Sequence, residues 1–587
     1  MTTPSAAGDA FVPATDKPVP QSVAEFTVRT LAQAGVTHVF GVPGGPLMPL
    51  YEALEDCPGI EPVLAKHEEG AAFMALGYAQ VTGRLGVVCG TVGPGALHAL
   101  TGVASATADS VPVLALTAQV NTSSFGRGGL QDSSGGSWGV DTVDAFRSAT
   151  KLSALASTCA QVPRLLALSV RTAYLGRPGG VHLSLPADVL AGRLERETPL
   201  PNLRRPTIAA PAPPAVTELA SAVRAARRGM VLAGQGAKLS GSASSLIRLA
   251  ETLSWPVATT LKGKSVFPED HALSAGVFGF GGTADAHATV LADDVDTLLV
   301  VGSALGELAT HGWEPRLVEG RRVLRIDIDP LREGAGFEAD MHVTGDATAV
   351  VDALLSELQI PHPAPAKAPM APPALATPLQ DHDPLLASAV VTLMSRLLPE
   401  DAMVFVDNGN CASWMGQNFV SRPPAAIHVS LNVASMGSSA GSAIGGYIAA
   451  GDRPVVALTG DAAFAMAGME IHTAVELGLP IVWIVLNNAG NAMVHNIHEG
   501  IFGRSVSAMY HNPIDIAVVA RGLGAESFAV QSLTQFEDAL LNALASSVPS
   551  VIDVRVDPDE VPWALAGRIS TLRTAFNRET PASGGDG

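Results

Sequence analysis

The 587-residue chain is short of cysteine, of aromatic side chains and of cationic charge, and it has no long hydrophobic run. Its four cysteines, Cys57, Cys89, Cys159 and Cys411, lie far apart with no CxxC pair. That spacing argues against a disulfide framework and against a structural zinc site. Lysine and arginine total 36 against 55 acidic residues, a net charge of −19. A nucleic-acid binder needs clustered cations to neutralise phosphates, and docking on an anionic membrane needs the same, so both classes are excluded. The best apolar runs, 454–459 and 478–486, have the length of a strand. Nothing approaches the roughly 20 apolar residues that span a bilayer. The polar, proline-containing start MTTPSAAGDAFVPATDKPVPQ has no basic segment followed by an apolar one, so it does not read as a signal peptide. The expectation is a soluble, cytoplasmic, acidic protein.

Small residues are abundant: 59 glycines and an excess of alanine within an apolar fraction of 47%. Of the 42 prolines, 13 fall in two short stretches, 197–215 and 360–380. Proline removes amide donors and stiffens the chain, so both read as surface linkers. They divide the chain into segments 19–196, 216–359 and 381–575, flanked by a leader (1–18) and a tail (576–587) expected to be disordered. Each segment repeats one texture. LGVVCGTVGPGALHALTGVASATADSVPVLALTA, GMVLAGQGAKLSGSASSLIRLAETLSWPVATTL and PVVALTGDAAFAMAGMEIHTAVELGLPIVWIVLNN all read strand, glycine-rich turn, small-residue helix, strand. Short apolar runs bounded by Gly or Pro and alternating with helices predict buried parallel strands. The predicted fold is α/β, with three doubly wound parallel-sheet domains and ligand sites at the C-terminal strand ends.

Three features carry chemistry. The strand VVALT ends at Gly460-Asp461 and the strand IVWIVL ends at Asn487-Asn488, with one crossover helix expected between them. A carboxylate and a carboxamide at neighbouring strand ends are hard oxygen ligands that suit Mg²⁺ holding a diphosphate. The simpler alternative is a helix cap and an Asn-Asn turn. In LAKHEEGAAFMALGYAQVTG an acidic pair opens a helix whose first turn is Gly and Ala. It either complements the helix dipole or supplies a buried glutamate for proton transfer. In NVASMGSSAGSAIGGYIAAG one large side chain, Met436, stands at the entrance of a small-residue helix, as core filler or as a prop under a ligand.

Taken together, these segments resemble the thiamine-diphosphate-dependent enzymes of the acetohydroxyacid (acetolactate) synthase type. The likeness runs from about residue 20 to 565, in order, through FGVPGG, HEEGAAFMALGYAQVTGRLGVV, GTVGPGALHALTGVASATADSVPVLALTAQ, VFGFGGTADAH, RIDIDP, ASMGSSAG and GDAAF…LNNAGNAMV. The resemblance implies a first domain that binds the aminopyrimidine, a central domain, and a third domain that binds the diphosphate. The site would form between two subunits of a homodimer or homotetramer. Glu68 would be the catalytic carboxyl that shifts the aminopyrimidine to its imino form, which then removes the neighbouring thiazolium proton intramolecularly. Asp461 and Asn488 would bind Mg²⁺ through their side chains and Gly490 through its carbonyl. Gly44, Gly45 and Pro94 would contact the cofactor from the first domain. Asn410 and Cys411 would contact the diphosphate, with Gly460, Ala462 and Ala463 in the motif itself and Asn491, Ala492 and Met493 just after it. Ala434 would accept a hydrogen bond from the pyrimidine amino group, and Met436 would hold the cofactor bent. Pro46, His98, Gln131, Val494, His495 and Ile497 would line the substrate pocket.

The chain departs from that pattern in several places. Gly460-Asp461-Ala462 stands for Gly-Asp-Gly, a change that costs little at a helix start. The synthases' arginine-containing central segment is matched by GSALGEL, 302–308, with no arginine. That argues against FAD and against the usual acceptor, whose carboxylate loses a bidentate partner. Ile497 stands where a tryptophan shapes the acceptor pocket, and His98 replaces an asparagine. His495 and His498 are extra titratable groups, on a flap at the surface or in the chemistry. The expected activity is a thiamine-diphosphate and Mg²⁺-dependent carboligase that decarboxylates pyruvate or a related 2-oxo acid and passes the acyl unit to a carbonyl. A simple 2-oxo-acid decarboxylase is the alternative; against it, His67 stands alone in its helix where such enzymes carry paired histidines. A coenzyme-A-dependent lyase would need a basic C-terminal lid, and only Arg568 and Arg573 are there. A non-catalytic paralogue is the last alternative, although Glu68, Asp461 and Asn488 are all retained.

Overall fold

The computed structural model describes residues 21–136, 138–194, 198–203, 210–332, 336–359, 379–422 and 426–576. The expected leader 1–18, almost all of the tail 576–587, residues 197 and 204–209 of the first linker and residues 360–378 of the second lie outside the described residues. The last residues of the first linker already open the helix Pro213–Ala225. Proline is tolerated in a first helical turn, where no intrahelical donor is needed.

Three six-stranded, all-parallel sheets make up the chain. The first holds β1 (His38–Gly41), β2 (Glu61–Leu64), β3 (Gly86–Gly90), β4 (Val113–Gln119), β5 (Ser153–Leu155) and β6 (Gly180–Pro186), in the order β2-β1-β3-β4-β6-β5. The second holds β7 (Gly229–Ala233), β8 (Val257–Thr260), β9 (Ser274–Phe278), β10 (Thr297–Val301), β11 (Arg322–Asp327) and β12 (Met341–Thr344), in the order β12-β11-β10-β7-β8-β9. The third holds β13 (Met403–Val406), β14 (Ala426–Val429), β15 (Val455–Gly460), β16 (Val482–Asn487), β17 (Glu526–Val530) and β18 (Ser550–Arg555), in the order β14-β13-β15-β16-β18-β17. The central strands β3, β4, β10 and β16 are buried along their whole length. This is why they read as continuous apolar runs rather than alternating ones. Strand order reverses between β1 and β3, between β7 and β10, and between β13 and β15. In open parallel sheets ligands bind outside the carboxyl ends of the strands at such points.

The glycine and alanine excess has a definite location. The helix Glu68–Thr82 lies against the helix Ser438–Ala450 with backbones in contact. A Cβ on Gly445 would fall 1.8 Å from the Met74 carbonyl oxygen, and one on Gly77 would fall 2.1 Å from that of Ser442. No rotamer change relieves a clash with backbone, so Gly445→Ala forces the helices apart. It is expected to cost about 2–3 kcal/mol, read as a lowered melting temperature.

Inside the first sheet His182 is fully buried on β6, its ring stacked on Phe146 at 4.0 Å, with hydroxyls of Thr117 (2.7 Å) and Ser153 (2.8 Å) at its two nitrogens. Burial drives its pKa down to about 3. The unfolded chain therefore binds a proton between about pH 6.5 and 3 that the folded chain refuses. Stability is complete above pH 6.5 and is lost as pH falls through that window, at up to about 1.4 kcal/mol per pH unit. Denaturant melts of His182→Phe are expected to show a shallower acid slope than those of the native chain.

No helix among the described residues is long and apolar enough to cross a membrane.

Candidate active site

The third domain builds one wall. β13 runs into Asp407-Asn408-Gly409 and the helix Asn410–Asn418, while β15 runs into Gly460 and Asp461. β16 ends at Asn487, so Asn488 and Gly490 follow on the adjacent strand. Asp461 is 1% exposed, and its Oδ2 is a buried atom with no hydrogen-bond partner in the chain. Burial pushes its carboxyl up to about 6, against the backbone amides of Asn488 and Gly490 that favour the charged form. The Asn488 carboxamide end faces the Gly490 carbonyl oxygen at 2.8 Å and Asp461 Oδ1 at 3.2 Å. With its NH₂ inward it would donate to both. With its oxygen inward the three oxygens form one face of a cation site. An octahedral Mg²⁺ with oxygens at about 2.05 Å sets neighbouring oxygens about 2.9 Å apart. The spacing and the orphaned Asp461 oxygen fit such a cation. Ala489, between the ligands, has φ +64°, a left-handed turn that aims both at one point.

Asn488 and Gly490, with the neighbours of Asp461 on either side, open on a cavity of about 1520 Å³. Asn410, Cys411, Ala434, Met436, Gly460, Ala462 and Ala463 line it, as do Asn488, Gly490, Asn491, Ala492, Met493, Val494 and Ile497. A Cβ on Gly460 would meet nothing within 4 Å, which leaves room for a ligand against the backbone. The helices Asn410–Asn418 and Ala492–Phe502 begin at the cavity, offering free N–H groups to an anion. Met436 is half-buried and Ala434 exposed, with φ +60° at Ala434. The Cys411 thiol bonds back to the Asp407 carbonyl at 3.0 Å, so the residue lines the wall with its sulfur turned to backbone.

His495 lies elsewhere. Met493 and Ile497 are four residues apart and share one helix face, whereas His495 is half a turn round. Its Nε2 is 2.7 Å from Asp559 Oδ1, in a separate small pocket. His498 accepts from the Val506 amide at 3.3 Å.

The cavity continues over the second sheet, past Gln235 and Gly236 after β7, Gly302 and Ser303 after β10, and Asp327 at the end of β11. Arg177, Lys262 and Arg568 also reach its lining, as do Glu307, Asp346, Asp557 and Glu560. A buried knot fastens the three domains around it. Asp109, 0% exposed, bonds Lys262 Nζ at 3.0 Å and the Ser430 hydroxyl, and its carbonyl accepts from Gln235 Nε2 at 2.9 Å.

The expected site residues of the first domain form a second cluster, none of which lines that cavity. Glu68 is the first residue of its helix and is 7% exposed. A Cβ on Gly95 would sit 2.8 Å from Glu68 Oε1, and one on Gly44 would collide with Thr91. Gly95 thus brings the GPG turn against the carboxyl, and Gly44 brings the FGVPGG turn against Thr91 beside it. Gln131 packs beside Gly93, with its Cβ 3.2 Å from where a Gly93 Cβ would be. Gly45, Pro94, His98 and Gln131 are exposed, and Gly44 and Pro46 are half-exposed. His67 is the N-cap of the helix rather than a member of it, and its ring stacks on that of His98 at 4.4 Å. Two histidines are therefore paired in space although 31 positions apart in sequence.

Several residues of the site are invisible to motif reasoning. Asp407, 0% exposed, accepts from the amides of Asn408 (2.8 Å), Gly437 (2.8 Å) and Ser439 (3.3 Å) and from the hydroxyls of Ser439 and Thr459. Asn408 Nδ2 donates to the Ser435 carbonyl at 2.7 Å. Together they hold the 434–439 turn. The available signal was an apolar strand, MVFV, ending in Asp-Asn-Gly at a reversal of strand order. Glu470 accepts from the amides of Lys66 and His67, fixing the entry to Glu68. It sits in the turn Gly468–Glu470, which breaks the expected single crossover into two helices, Asp461–Ala467 and Ile471–Leu477.

Comparison with known proteins agrees with this architecture. Residues 21–136 match the N-terminal TPP-binding domain of thiamine pyrophosphate enzymes, 216–354 their central domain, and 407–554 their C-terminal TPP-binding domain. The chain is 31% identical over 558 residues to a probable acetolactate synthase large subunit of Methanocaldococcus jannaschii, covering 92% of each. It is 30% identical to the acetolactate synthase isozyme 2 large subunit of Escherichia coli, over 92% of this chain and 97% of that one. It is 32% identical to a probable 2-ketoarginine decarboxylase of Pseudomonas aeruginosa, over 90% of this chain and 93% of that one.

Proposed function

Because this chain belongs to the thiamine pyrophosphate enzyme family, we propose that it decarboxylates pyruvate or a related 2-oxo acid and transfers the acyl carbanion equivalent to an acceptor carbonyl. Asp461, Asn488 and the Gly490 carbonyl would hold Mg²⁺, and the helix starts at Asn410 and Ala492 would receive the diphosphate. Bound there, thiamine diphosphate supplies the electron sink for the pair left behind when CO₂ departs. Glu68 holds a proton at the pyrimidine. Flavin stays outside the proposed cofactor set because segment 302–308 brings no arginine to the central arm of the cavity. An absorption band near ~450 nm in the purified protein would reverse that assignment.

The observation that carries transfer over simple decarboxylation is room. The cavity of about 1520 Å³ that Met436 lines is also lined by Val494 and Ile497 of the third domain and by Phe280 and Leu308 of the central one. That leaves space for an acceptor beside the donor. Proton-terminated decarboxylation is the second reading. It is favoured by the His67–His98 pair at Glu68 and by the likeness to the Pseudomonas enzyme.

We also propose that the site is shared between two copies of the chain, as homodimer or homotetramer. The supporting observation is that Glu68, Gly44, Pro94 and Gln131 take no part in lining the cavity that Asn488 and Gly490 share. Incubation with thiamine diphosphate, Mg²⁺, pyruvate and a panel of aldehydes, ketones and 2-oxo acids, followed by mass spectrometry, tests the activity. Ligated products are expected. Acetaldehyde alone establishes the second reading, and no CO₂ release from any 2-oxo acid restores the non-catalytic alternative.

A further inference from the structure

We propose that His98 is a positioning residue, which holds the Glu68 carboxyl through Oε2 so that Oε1 is presented to the cofactor. The proposal rests on the reading of Glu68 as the group that activates thiamine diphosphate. The geometry is local and specific. His98 Nδ1 lies 3.0 Å from Glu68 Oε2. His98 and Gly95 are three residues apart on the helix Pro94–Ala108, so they share a face. One turn of that helix therefore frames both carboxyl oxygens. Gly95 leaves the space that Oε1 occupies, because a Cβ there would stand 2.8 Å from it. His98 takes the other oxygen.

The imidazole is itself held in place. Its ring lies at 27° to that of His67 with centroids 4.4 Å apart. His67 is fixed twice over, by its Nδ1 accepting from the Glu69 amide at 3.3 Å and by its own amide donating to Glu470 Oε1 at 2.9 Å. A chain of contacts thus runs from Glu470 in the third domain through His67 and His98 to Glu68. A carboxyl on a glutamate stem turns about its last bond with a broad profile. A fixed donor on one oxygen removes that freedom and leaves the second oxygen for the incoming ring nitrogen. With a carboxylate as acceptor, His98 carries its proton on Nδ1.

Ligand atoms of His67, Glu68 and His98 lie within 4.8 Å of one another, a spacing that metal sites also use. The stacking argues for positioning instead. Nearly parallel rings send their in-plane lone pairs side by side rather than to one point, and the Nδ1 atoms of both rings are already engaged.

The experiment measures exchange of the thiazolium C2 proton for deuterium in the holoenzyme, by rapid quench and proton NMR. It compares native protein with His98→Phe, His98→Asn and Glu68→Gln. Phenylalanine keeps the stack on His67 and removes the donor. Asparagine places an amide N–H close to where Nδ1 stood. His98→Phe is expected to slow exchange by about tenfold or more, the usual consequence of losing a hydrogen bond to a charged group. Its thiamine diphosphate dissociation constant and melting temperature are expected to stay near native. His98→Asn is expected to recover exchange to within about threefold of native. Native exchange in His98→Phe, or exchange in His98→Asn as slow as in His98→Phe, overturns the proposal. Failure of the underlying reading looks different: Glu68→Gln would itself exchange at the native rate.

Discussion

Glu68→Gln lowers the rate of 2-oxo-acid decarboxylation by about two to four orders of magnitude and leaves the fold intact. The expectation follows from what the substitution keeps and what it removes. Glutamine fills the same volume beneath Gly95 and still accepts from His98 Nδ1, so the first turn of the helix loses only a charge. Carboxylates near a helix start contribute about 0.3–1 kcal/mol, which sets the scale of any change in melting temperature. What disappears is a group at this 7%-exposed position that can both give and take a proton. CO₂ release under steady-state conditions, read beside a thermal melt, checks both halves. Near-native turnover in a folded Glu68→Gln protein would remove Glu68 from the mechanism.

Asp461→Asn carries the second large effect, and its two parts have opposite signs. Without metal, a buried carboxyl whose Oδ2 has no partner is a burden on the folded chain, which is why its pKa rises to about 6. A neutral amide relieves that, so the metal-free variant is expected to melt higher than the metal-free native protein. With metal the order reverses. Loss of the one anionic ligand weakens Mg²⁺-dependent thiamine diphosphate binding by about a hundredfold or more, since ligand oxygens favour Mg²⁺ chiefly through charge and close packing. Chelating Mg²⁺ from the native protein should reproduce the loss of binding, and chelation should do little more to the variant. Calorimetric titration with and without chelator, together with melts of both proteins, checks this. A variant that binds the cofactor as tightly as native protein in Mg²⁺ would dismiss Asp461 as a ligand.

Much of this was legible in the chain alone, for physical reasons that differ from one feature to the next. Strands such as LLVV at 298–301 and VWIVL at 482–486 are buried on both faces, so their apolar runs are unbroken and parallel α/β layering is readable directly. Asp461 and Asn488 could be set side by side because adjacent parallel strands end at the same edge of a sheet. The small-residue excess suits helices packed closely on sheets, whereas Gly77 against Ser442 places part of it between two helices of different domains. Contacts that depend on how domains meet left no local signature. Glu470 grips Lys66 and His67 across some four hundred residues, and Asp109 reaches Lys262 and Ser430. The pairing of His67 with His98 needed the geometry of two helices, and so did the partition of Met493 and Ile497 from His495. The break at Gly468–Glu470 departs from the single crossover helix expected there, and Glu470 takes its partners Lys66 and His67 from the first domain.

The central claim is that one active site takes Glu68 from one copy of the chain and Asp461 with Asn488 from another. Mixing two inactive variants tests it most directly. Glu68→Gln and Asp461→Ala, dissociated together and reassembled, should yield mixed dimers in which one site carries both substitutions and the other carries neither. Random pairing of equal amounts then restores about a quarter of native CO₂ release. If the mixture stays as inactive as its two components while size-exclusion chromatography shows exchanged subunits, Glu68 and Asp461 serve the same site from a single chain, and the account is wrong.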